Sequence, residues 1–190
     1  SGEEEARLAY AGAAPEGSAG VIDIGGGSTE FMTGRDGSVL TAASAQMGAV
    51  RLKEMCGGAM DPDLLLARAR AALEPAARKA CAAPPGDGWA AVGGTFTALA
   101  AMEQKLSRYD AAKIQGFRLT SGAVFTWLRR LTGMTYEERL MIPGLIPERA
   151  DIIPFGAAIA AACFELIGAD WVTVSDRDNL LGYLKAKYRA

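Results

Sequence analysis

The segment VIDIGGGSTEF, residues Val21–Phe31, carries the pattern from which both the fold and a candidate site are inferred. Strand-forming residues enclose three consecutive glycines and Ser28. Because glycine has no Cβ, the chain can turn sharply here and another group can approach its backbone closely. Successive N–H groups pointing into one concavity, with the Ser28 hydroxyl, are donors that suit an anionic phosphate. A plain tight turn explains the pattern equally well, so the rest of the chain has to decide between the two.

Two carboxylates flank this turn. Asp23 precedes the three glycines, and Glu30 follows Ser28. Carboxylate oxygens are ligands for hard cations such as Mg²⁺, and they can also orient a water molecule that attacks phosphorus. Asp23 and Glu30 are therefore candidates for holding a metal ion or for orienting water.

Composition predicts one globular domain and excludes several kinds of chemistry. Half of the 190 residues are apolar, which is enough for a full core. The formal charge of −2 leaves no basic surplus for duplex nucleic acid. Because the chain has no histidine, Ser-His-Asp catalysis, Cys-His catalysis and histidine-ligated metals are excluded. Any acid–base step then depends on carboxylates, lysine, tyrosine or cysteine.

Cysteine spacing and hydropathy indicate where the protein works. Cys56, Cys81 and Cys163 are far apart and form no CxxC pattern, which predicts free thiols in a reducing, cytoplasmic compartment and no zinc site. We expect no signal peptide, and a start without methionine indicates a processed chain or a piece of a longer protein. The apolar run at residues 152–169 is interrupted by proline, glycine and glutamate, so we expect a core helix and no membrane span.

Hydrophobic periodicity and turn residues predict an α/β fold with a mixed sheet. Five strands are expected, at Val21–Ile24, Thr29–Thr33, Ser38–Ala45, Trp89–Val92 and Trp171–Val174. One helix is expected to start at a capping box in Ser1–Glu4, and another at Asp61 with a kink at Pro75. Further helices are expected at Phe96–Leu106, Leu119–Thr132, Tyr136–Met141, Ile152–Ala169 and Asn179–Tyr188.

A second glycine junction follows the predicted strand Trp89–Val92. Gly93, Gly94 and Thr95 come directly after this strand and directly before a predicted helix. Glycines allow close approach at such a point, and the N-terminus of the helix offers unpaired N–H groups to an anion. Tight packing of the strand against the helix explains the same glycines equally well.

Six sequence blocks resemble, in order and over nearly the whole chain, one known family. The blocks are SGEEEARLAYAGA, VIDIGGGSTEF, MGAVRLKE, AVGGTFTALAAM, IPGLIPERADIIPFGAAI and VTVSD. They are similar to the second half of the catalytic region of the exopolyphosphatase / guanosine pentaphosphate phosphohydrolase family. The resemblance implies an actin-like, ribonuclease-H-like domain of about five strands flanked by helices. It also implies Mg²⁺-dependent hydrolysis of a terminal phosphate from inorganic polyphosphate or from pppGpp.

The resemblance also assigns roles to individual residues. Glu5 would be the carboxylate that activates the attacking water, although composition alone treats it as part of a solvated helix start. Asp23 and Glu30 would serve the metal ion or the water. The phosphate cradle would comprise Gly25, Gly26, Gly27 and Ser28, with further contacts at Gly93, Gly94 and Thr95. Arg149 and Asp151 would shape the cleft, unless they form a structural salt bridge.

The chain departs from the family pattern in two respects. After the VSD strand the family commonly has a glycine and an Arg-acidic-Gly turn, whereas this chain reads DRDNLLG over Asp176–Gly182. The function of that arginine is then lost or moved to Arg177. The resemblance also implies a first lobe upstream of Ser1, with the active site between the two lobes. Residues 1–190 would be a single domain, the second lobe, and nearly inactive alone because a phosphoryl-transfer cleft needs both walls.

Other functions and partners stay open at this level. A divergent member of the family could bind polyphosphate or guanosine tetra- and pentaphosphate as a sensor without hydrolysing them. An ATP-dependent kinase of the same superfold would share the two glycine junctions, but the SGEEEAR block argues against it. The expected partners are the phosphate substrate and the missing first lobe, with neither membrane nor duplex nucleic acid. Self-association into a homodimer is a further open alternative.

Overall fold

A computed structural model describes residues 10, 12–14, 17–82, 85–86 and 88–176 of the chain. Glu5, most of the predicted first helix, Arg177 and the predicted helix Asn179–Tyr188 lie outside the described residues. The strands are β1 Ser18–Ile24, β2 Thr29–Arg35, β3 Ser38–Ala45, β4 Trp89–Val92, β5 Arg118–Thr120 and β6 Trp171–Val174. The helices are α1 Ala49–Met55, α2 Pro62–Cys81, α3 Gly94–Glu103, α4 Ala111–Ile114, α5 Ser121–Gly133, α6 Tyr136–Leu140 and α7 Ile153–Ile167, and a 3-10 turn covers Pro147–Arg149.

The described strands form one mixed sheet in the order β3-β2-β1-β4-β6-β5. β1, β4 and β6 run parallel to one another. β2 is antiparallel to both β1 and β3, and β5 is antiparallel to β6. An antiparallel meander followed by parallel strands with intervening helices is the arrangement expected from the sequence, and the α/β fold is confirmed.

The short edge strand β5 is the strand that the sequence prediction missed. Leu119 and Thr120 were expected at the start of a helix, but they pair with β6 opposite Val172 and Trp171. Thr120 then caps α5, because its hydroxyl oxygen accepts a hydrogen bond from the Ala123 N–H at 3.2 Å. A strand of three residues is too short to show an alternating pattern in sequence. The sheet therefore has six strands rather than five.

The two faces of the sheet are covered unequally. On one face Ile22, Ile24 and Phe31 belong to the large core that also contains the buried sides of α2, α3, α5 and α7. On the other face Val21 and Met32 join a much smaller cluster with the buried side chain of Tyr10. This alternation along β1 is the expected consequence of the strand's period of two.

The long helices begin and end as their sequences indicate. The Asp61 carboxylate accepts hydrogen bonds from the N–H groups of Asp63 and Leu64, and α2 then continues without interruption through Pro75. α7 is buried on all sides over its first twelve residues, Ile153–Phe164, and ends at Gly168, whose φ is +64°. Of the helices in the described residues, none combines the length and the apolarity that a membrane crossing requires.

We expect Phe155→Ala in α7 to destabilise the protein by about 3–5 kcal/mol, because it leaves a cavity in a close-packed interior. Phe155 is completely buried, whereas Leu40 on β3 is 66% exposed. Leu40→Ala is therefore the matched control and should change the free energy of unfolding by less than about 0.5 kcal/mol. Chemical denaturation of both variants gives the comparison. Equal effects would contradict the position of α7 at the centre of the core.

Candidate functional site

Three parallel strands end at the same edge of the sheet. β1 ends at Ile24, β4 at Val92 and β6 at Val174. The segments that follow are the loop Gly25–Ser28, the single residue Gly93 before α3, and Ser175–Asp176. In open α/β sheets, ligands bind outside the carboxyl ends of the strands, which makes this edge the candidate site.

The first glycine loop directs its carbonyl groups into the protein. The N–H groups of Ala49, Val50 and Arg51, at the start of α1, donate to the carbonyl oxygens of Gly25 and Gly26 at 2.9–3.2 Å. The loop is closed by the Gly25 N–H, which donates to the Ser28 carbonyl oxygen at 3.0 Å. Since the carbonyl groups face α1, the carbonyl side of the loop is occupied by protein.

The N–H groups of this loop are available to a ligand. Within the described residues, those of Gly26, Gly27 and Ser28 donate no hydrogen bond. Gly26 and Gly27 are exposed, and neither has a positive φ. A Cβ on Gly27 would meet nothing within 4 Å, and one on Gly26 would lie 3.4 Å from Val50 Cγ2. The turn itself therefore does not require these two glycines, so the explanation by a plain tight turn does not account for them.

Gly48 is a site-forming residue that the sequence analysis did not single out. A Cβ at this position would lie 2.4 Å from the carbonyl carbon of Gly26 and 2.6 Å from the Gly25 oxygen. Only glycine allows α1 to approach the loop this closely. The block MGAVRLKE contains the signal, because a glycine precedes the helix directly.

Asp23 and Glu30 are neighbours across β1 and β2. They are register partners, so their side chains project from the same face of the sheet. The Glu30 carboxylate accepts a hydrogen bond from the Ser44 hydroxyl at 2.8 Å. Asp23 Oδ1 lies beside Gly93, since a Cβ on that glycine would be 2.7 Å from it. The structure thus brings the predicted carboxylate pair to one face and places Asp23 at the second glycine junction.

The carboxylate pair matches the chemistry of a magnesium site. Mg²⁺ is commonly held by one or two carboxylates and completed by water and substrate phosphate oxygens. Asp23 and Glu30 supply two such carboxylates on adjacent strands. In the part of the chain that the structure describes, no group of three or more acidic, cysteine or histidine side chains forms a complete metal cage. The donor set therefore fits an ion that binds together with a phosphate.

The second glycine junction is shaped by close packing. Gly93 has a φ of +90°, and a Cβ there would lie 2.6 Å from the Ile24 carbonyl oxygen, so both conformation and space require glycine. Thr95 is buried, and its side chain faces Gly156 of α7. Thr95 can therefore offer a ligand its backbone N–H, which lies in the first turn of α3, but not its hydroxyl.

Arg149 lies directly over the start of α3. A Cβ on Gly94 would be 1.9 Å from a guanidinium nitrogen of Arg149, so the glycine makes room for this side chain. Among the described residues, the guanidinium forms no hydrogen bond or ion pair. The expected salt bridge of Arg149 with Asp151 does not form, because the Asp151 carboxylate pairs with Lys53, whose Nζ is 2.6 Å away. Arg149 thus presents an uncompensated positive charge beside unpaired helix N–H groups.

The third loop is contacted by Tyr109, from the segment between α3 and α4, a residue that had no signal in the sequence. The Tyr109 hydroxyl donates to Asp176 Oδ1, and the Asp176 N–H donates to Gln115 Oε1 at 3.0 Å. Burial raises the pKa of Tyr109, the bond to Asp176 and the charge of that carboxylate raise it further, and the nearby Arg149 charge opposes them. The hydroxyl therefore stays protonated at neutral pH and holds Asp176 in place.

Comparisons with known proteins match this chain to one protein family. Residues 1–178 match the Ppx/GppA phosphatase family. The chain is 39% identical over 197 aligned residues to exopolyphosphatase 2 of Mycobacterium tuberculosis, covering 95% of this chain and 60% of that protein. It is 32% identical to the guanosine-5'-triphosphate,3'-diphosphate pyrophosphatase of Aeromonas hydrophila, covering 92% of this chain and 36% of that protein.

A solved structure gives the same result. The Ppx/GppA family member of Aquifex aeolicus superimposes with a TM-score of 0.82 at 32% identity. The match covers 97% of this chain and 60% of the Aquifex chain. The present chain therefore spans well under two thirds of the length of these relatives.

We expect Gly48→Ala to destabilise the protein by about 1–3 kcal/mol, because the new methyl group must displace the backbone of Gly26. Gly122 in the first turn of α5 is the matched control, since a Cβ there meets nothing within 4 Å and its φ is not positive. Gly122→Ala should be neutral or stabilising by up to about 1 kcal/mol. Thermal unfolding of the two variants measures the difference. A neutral Gly48→Ala would contradict the close approach of α1 to the loop.

Proposed function

The chain belongs to the Ppx/GppA phosphatase family, and from this membership we propose that it is the second lobe of a phosphohydrolase. The reaction is release of the terminal phosphate of inorganic polyphosphate or of pppGpp. The proposal rests on the names of the relatives, an exopolyphosphatase and a guanosine-5'-triphosphate,3'-diphosphate pyrophosphatase. Both kinds of substrate end in the same phosphoanhydride.

The observation that carries the proposal is the set of unused donors at the carboxyl edge of the sheet. The N–H groups of Gly26, Gly27 and Ser28 have no partner among the described residues, and neither has the Arg149 guanidinium. Backbone amides and a guanidinium are the donors that bind phosphate oxygens. In the proposed site the loop Gly25–Ser28 holds one phosphate group, and Arg149 with the N–H groups of Gly94 and Thr95 holds another.

Asp23 and Glu30 would hold the magnesium ion. When bound, Mg²⁺ neutralises the phosphate charge that otherwise repels an attacking nucleophile. Ser44 fixes the Glu30 carboxylate through its hydrogen bond, and the N-terminal end of α3 stabilises the negative charge of Asp23 beside Gly93. These contacts preorient the carboxylates, so that less order has to be created when the substrate binds.

Glu5 would be the general base of the reaction. A carboxylate within hydrogen-bond reach of a water molecule can remove its proton as the water attacks the terminal phosphorus. With no histidine in the chain, a carboxylate is the natural choice for this role. The leaving group is the shortened polyphosphate or ppGpp, and it departs on the side opposite to the attacking water.

The SGEEEAR block of residues 1–7 favours hydrolysis over the kinase alternative, because kinases of this superfold do not carry it. The position of Arg149 is compatible with both reactions, since a guanidinium over Gly94 can bind a phosphate group of either kind of substrate.

Two further features belong to the proposal. A first lobe preceding Ser1 would supply the second wall of the cleft, and residues 1–190 alone would be nearly inactive. All three cysteines, Cys56, Cys81 and Cys163, are free thiols, which suits a reducing cytoplasm. The protein in which the proposed first lobe precedes residues 1–190 is called the two-lobe protein below.

The deciding experiment is phosphate release from polyphosphate and from pppGpp with Mg²⁺ by the two-lobe protein and its Glu5→Gln variant. We expect the variant to lose about a hundredfold or more in rate, the usual scale for a missing general base. Glu4→Gln, one residue away, is the matched control and should keep its activity. The 190-residue chain alone should release almost no phosphate.

The same experiment separates hydrolysis from the sensor alternative. If neither substrate is hydrolysed while wild type and Glu5→Gln bind it equally well, the protein is a sensor and the proposed reaction is wrong. Equal rates for wild type and Glu5→Gln would retain hydrolysis but reject Glu5 as the base.

We expect Arg149→Gln to raise the KM of the two-lobe protein for polyphosphate by about 10–100-fold, as a lost charge-assisted hydrogen bond would do. Arg149→Lys keeps the charge without the planar fork, so its KM should lie between those of wild type and Arg149→Gln. Arg129, an exposed arginine of α5, provides the control variant Arg129→Gln. Steady-state kinetics decides the matter, and an unchanged KM in Arg149→Gln would remove Arg149 from the phosphate site.

A further inference from the structure

An ion pair connects the two glycine junctions from outside the candidate site. Lys53 Nζ lies 2.6 Å from Asp151 Oδ2, and 98 residues separate the two in sequence. We propose that this pair is a positioning pair, which fixes the first glycine loop and Arg149 relative to each other. The inference rests on the proposed function, because it concerns the geometry of the same phosphate site.

The position of Lys53 is coupled to the position of the first glycine loop. It lies on α1, the helix whose first three N–H groups hold the carbonyl oxygens of Gly25 and Gly26. The absence of a side chain at Gly48 lets α1 and the loop pack in direct contact. A shift of α1 therefore moves the loop, and Lys53 is the side chain of this helix that forms an ion pair within the described part of the chain.

The position of Asp151 is coupled to the position of Arg149. The two residues belong to one tight turn, in which the Ile152 N–H donates to the Arg149 carbonyl oxygen at 3.1 Å. α7 follows directly, and its Gly156 contacts Thr95 at the second junction. The Lys53–Asp151 pair thus joins the segment that carries the first loop to the segment that covers the second.

A contribution to global stability does not account for this pair. The side chains of Lys53 and Asp151 are 38% and 47% exposed, and ion pairs this accessible to water stabilise a fold only weakly. Catalysis is far more sensitive to position, because an error of about 1 Å in the placement of reacting groups can cost a hundredfold in rate. The pair should therefore affect turnover much more than unfolding.

Lys53 is the better residue to change. The charge of Asp151 also acts on Arg139, a buried arginine whose Nη1 donates to the carbonyl oxygens of Leu131 and Met134. Burial lowers the pKa of Arg139, and the charge of Asp151 opposes this shift. Substituting Asp151 removes a carboxylate from a buried cation and disturbs folding as well as positioning. Lys53→Met removes the pair alone and keeps a side chain of similar length.

The test compares the two-lobe protein with its Lys53→Met and Lys53→Arg variants. We expect Lys53→Met to lower kcat for phosphate release by about tenfold or more with little change in KM, because the loop and Arg149 lose their relative position. Its melting temperature should fall by less than about 4 °C. Lys53→Arg can still pair with Asp151 and should restore kcat to within about threefold of wild type. An unchanged kcat in Lys53→Met would overturn the proposal.

A control pair and a second measurement complete the design. Arg70 and Glu165 join α2 to α7 at 3.6 Å with similar exposure, so Arg70→Met removes a comparable ion pair and should leave kcat unchanged. Amide hydrogen exchange at Gly25, at residues 49–51 and at residues 149, 150 and 152, whose N–H groups are hydrogen-bonded, should increase in Lys53→Met and not in Arg70→Met. A rise in KM without faster exchange would make Lys53 a direct substrate ligand and would overturn the positioning role. Because exchange is measured without substrate, it tests the pair even if the wild type releases no phosphate.

Discussion

The hydrogen bonds from the start of α1 to the first glycine loop are the constraint on which the site depends. Three N–H groups that a helix leaves unpaired are satisfied by the carbonyl oxygens of Gly25 and Gly26. This pairing turns the peptide planes of the loop, so that its carbonyl side faces the protein and Gly26, Gly27 and Ser28 keep their N–H groups for another partner. The proposed anion site would thereby be made from backbone alone, without a basic side chain in the loop.

The second junction solves a related problem in a different way. α3 also begins with unpaired N–H groups, but here Asp23 lies beside Gly93, and Arg149 lies over Gly94. A cation at the positive end of a helix is unfavourable by a few tenths of a kcal/mol to about 1 kcal/mol. No carboxylate among the described residues pairs with Arg149 to offset this cost. A bound phosphate would satisfy the guanidinium and the helix N–H groups together. The arrangement is therefore more stable with an anion present than without one.

The sequence alone was sufficient for the α/β fold class, and it predicted the glycine loops that the structure places at one edge of the sheet. The period-two runs of β1, β2 and β3, the Asp61 cap and the glycine that follows β4 each have a local physical cause, and the structure confirms these elements. Contacts between distant parts of the chain could not be predicted from the sequence. β5 exists because Arg118–Thr120 pairs with β6, and the guanidinium of Arg118 lies 3.7 Å from the ring centre of Trp171. Three residues leave no periodic signal of such a contact.

The same distinction applies within the site. The glycines were visible in sequence, but their different reasons were not: Gly93 is required by its backbone conformation, Gly48 and Gly94 by their neighbours, and Gly27 by neither. Arg149 and Asp151 look like one motif in the sequence ERAD, yet the first lies over the start of α3 and the second pairs with Lys53. Which neighbour a side chain meets depends on chain segments about 50 to 100 residues away, and local pattern contains no record of them.

Arg149 and Asp151 carry opposite charges only two residues apart, and they do not neutralise each other because Asp151 pairs with Lys53. A pair between Arg149 and Asp151 would be local, weak and exposed. Because Asp151 pairs with Lys53 instead, the Arg149 guanidinium has no partner among the described residues and can bind a ligand. A distant lysine thus keeps a nearby arginine from pairing with Asp151, and the charge that the proposed phosphate site would use is preserved by an interaction outside that site.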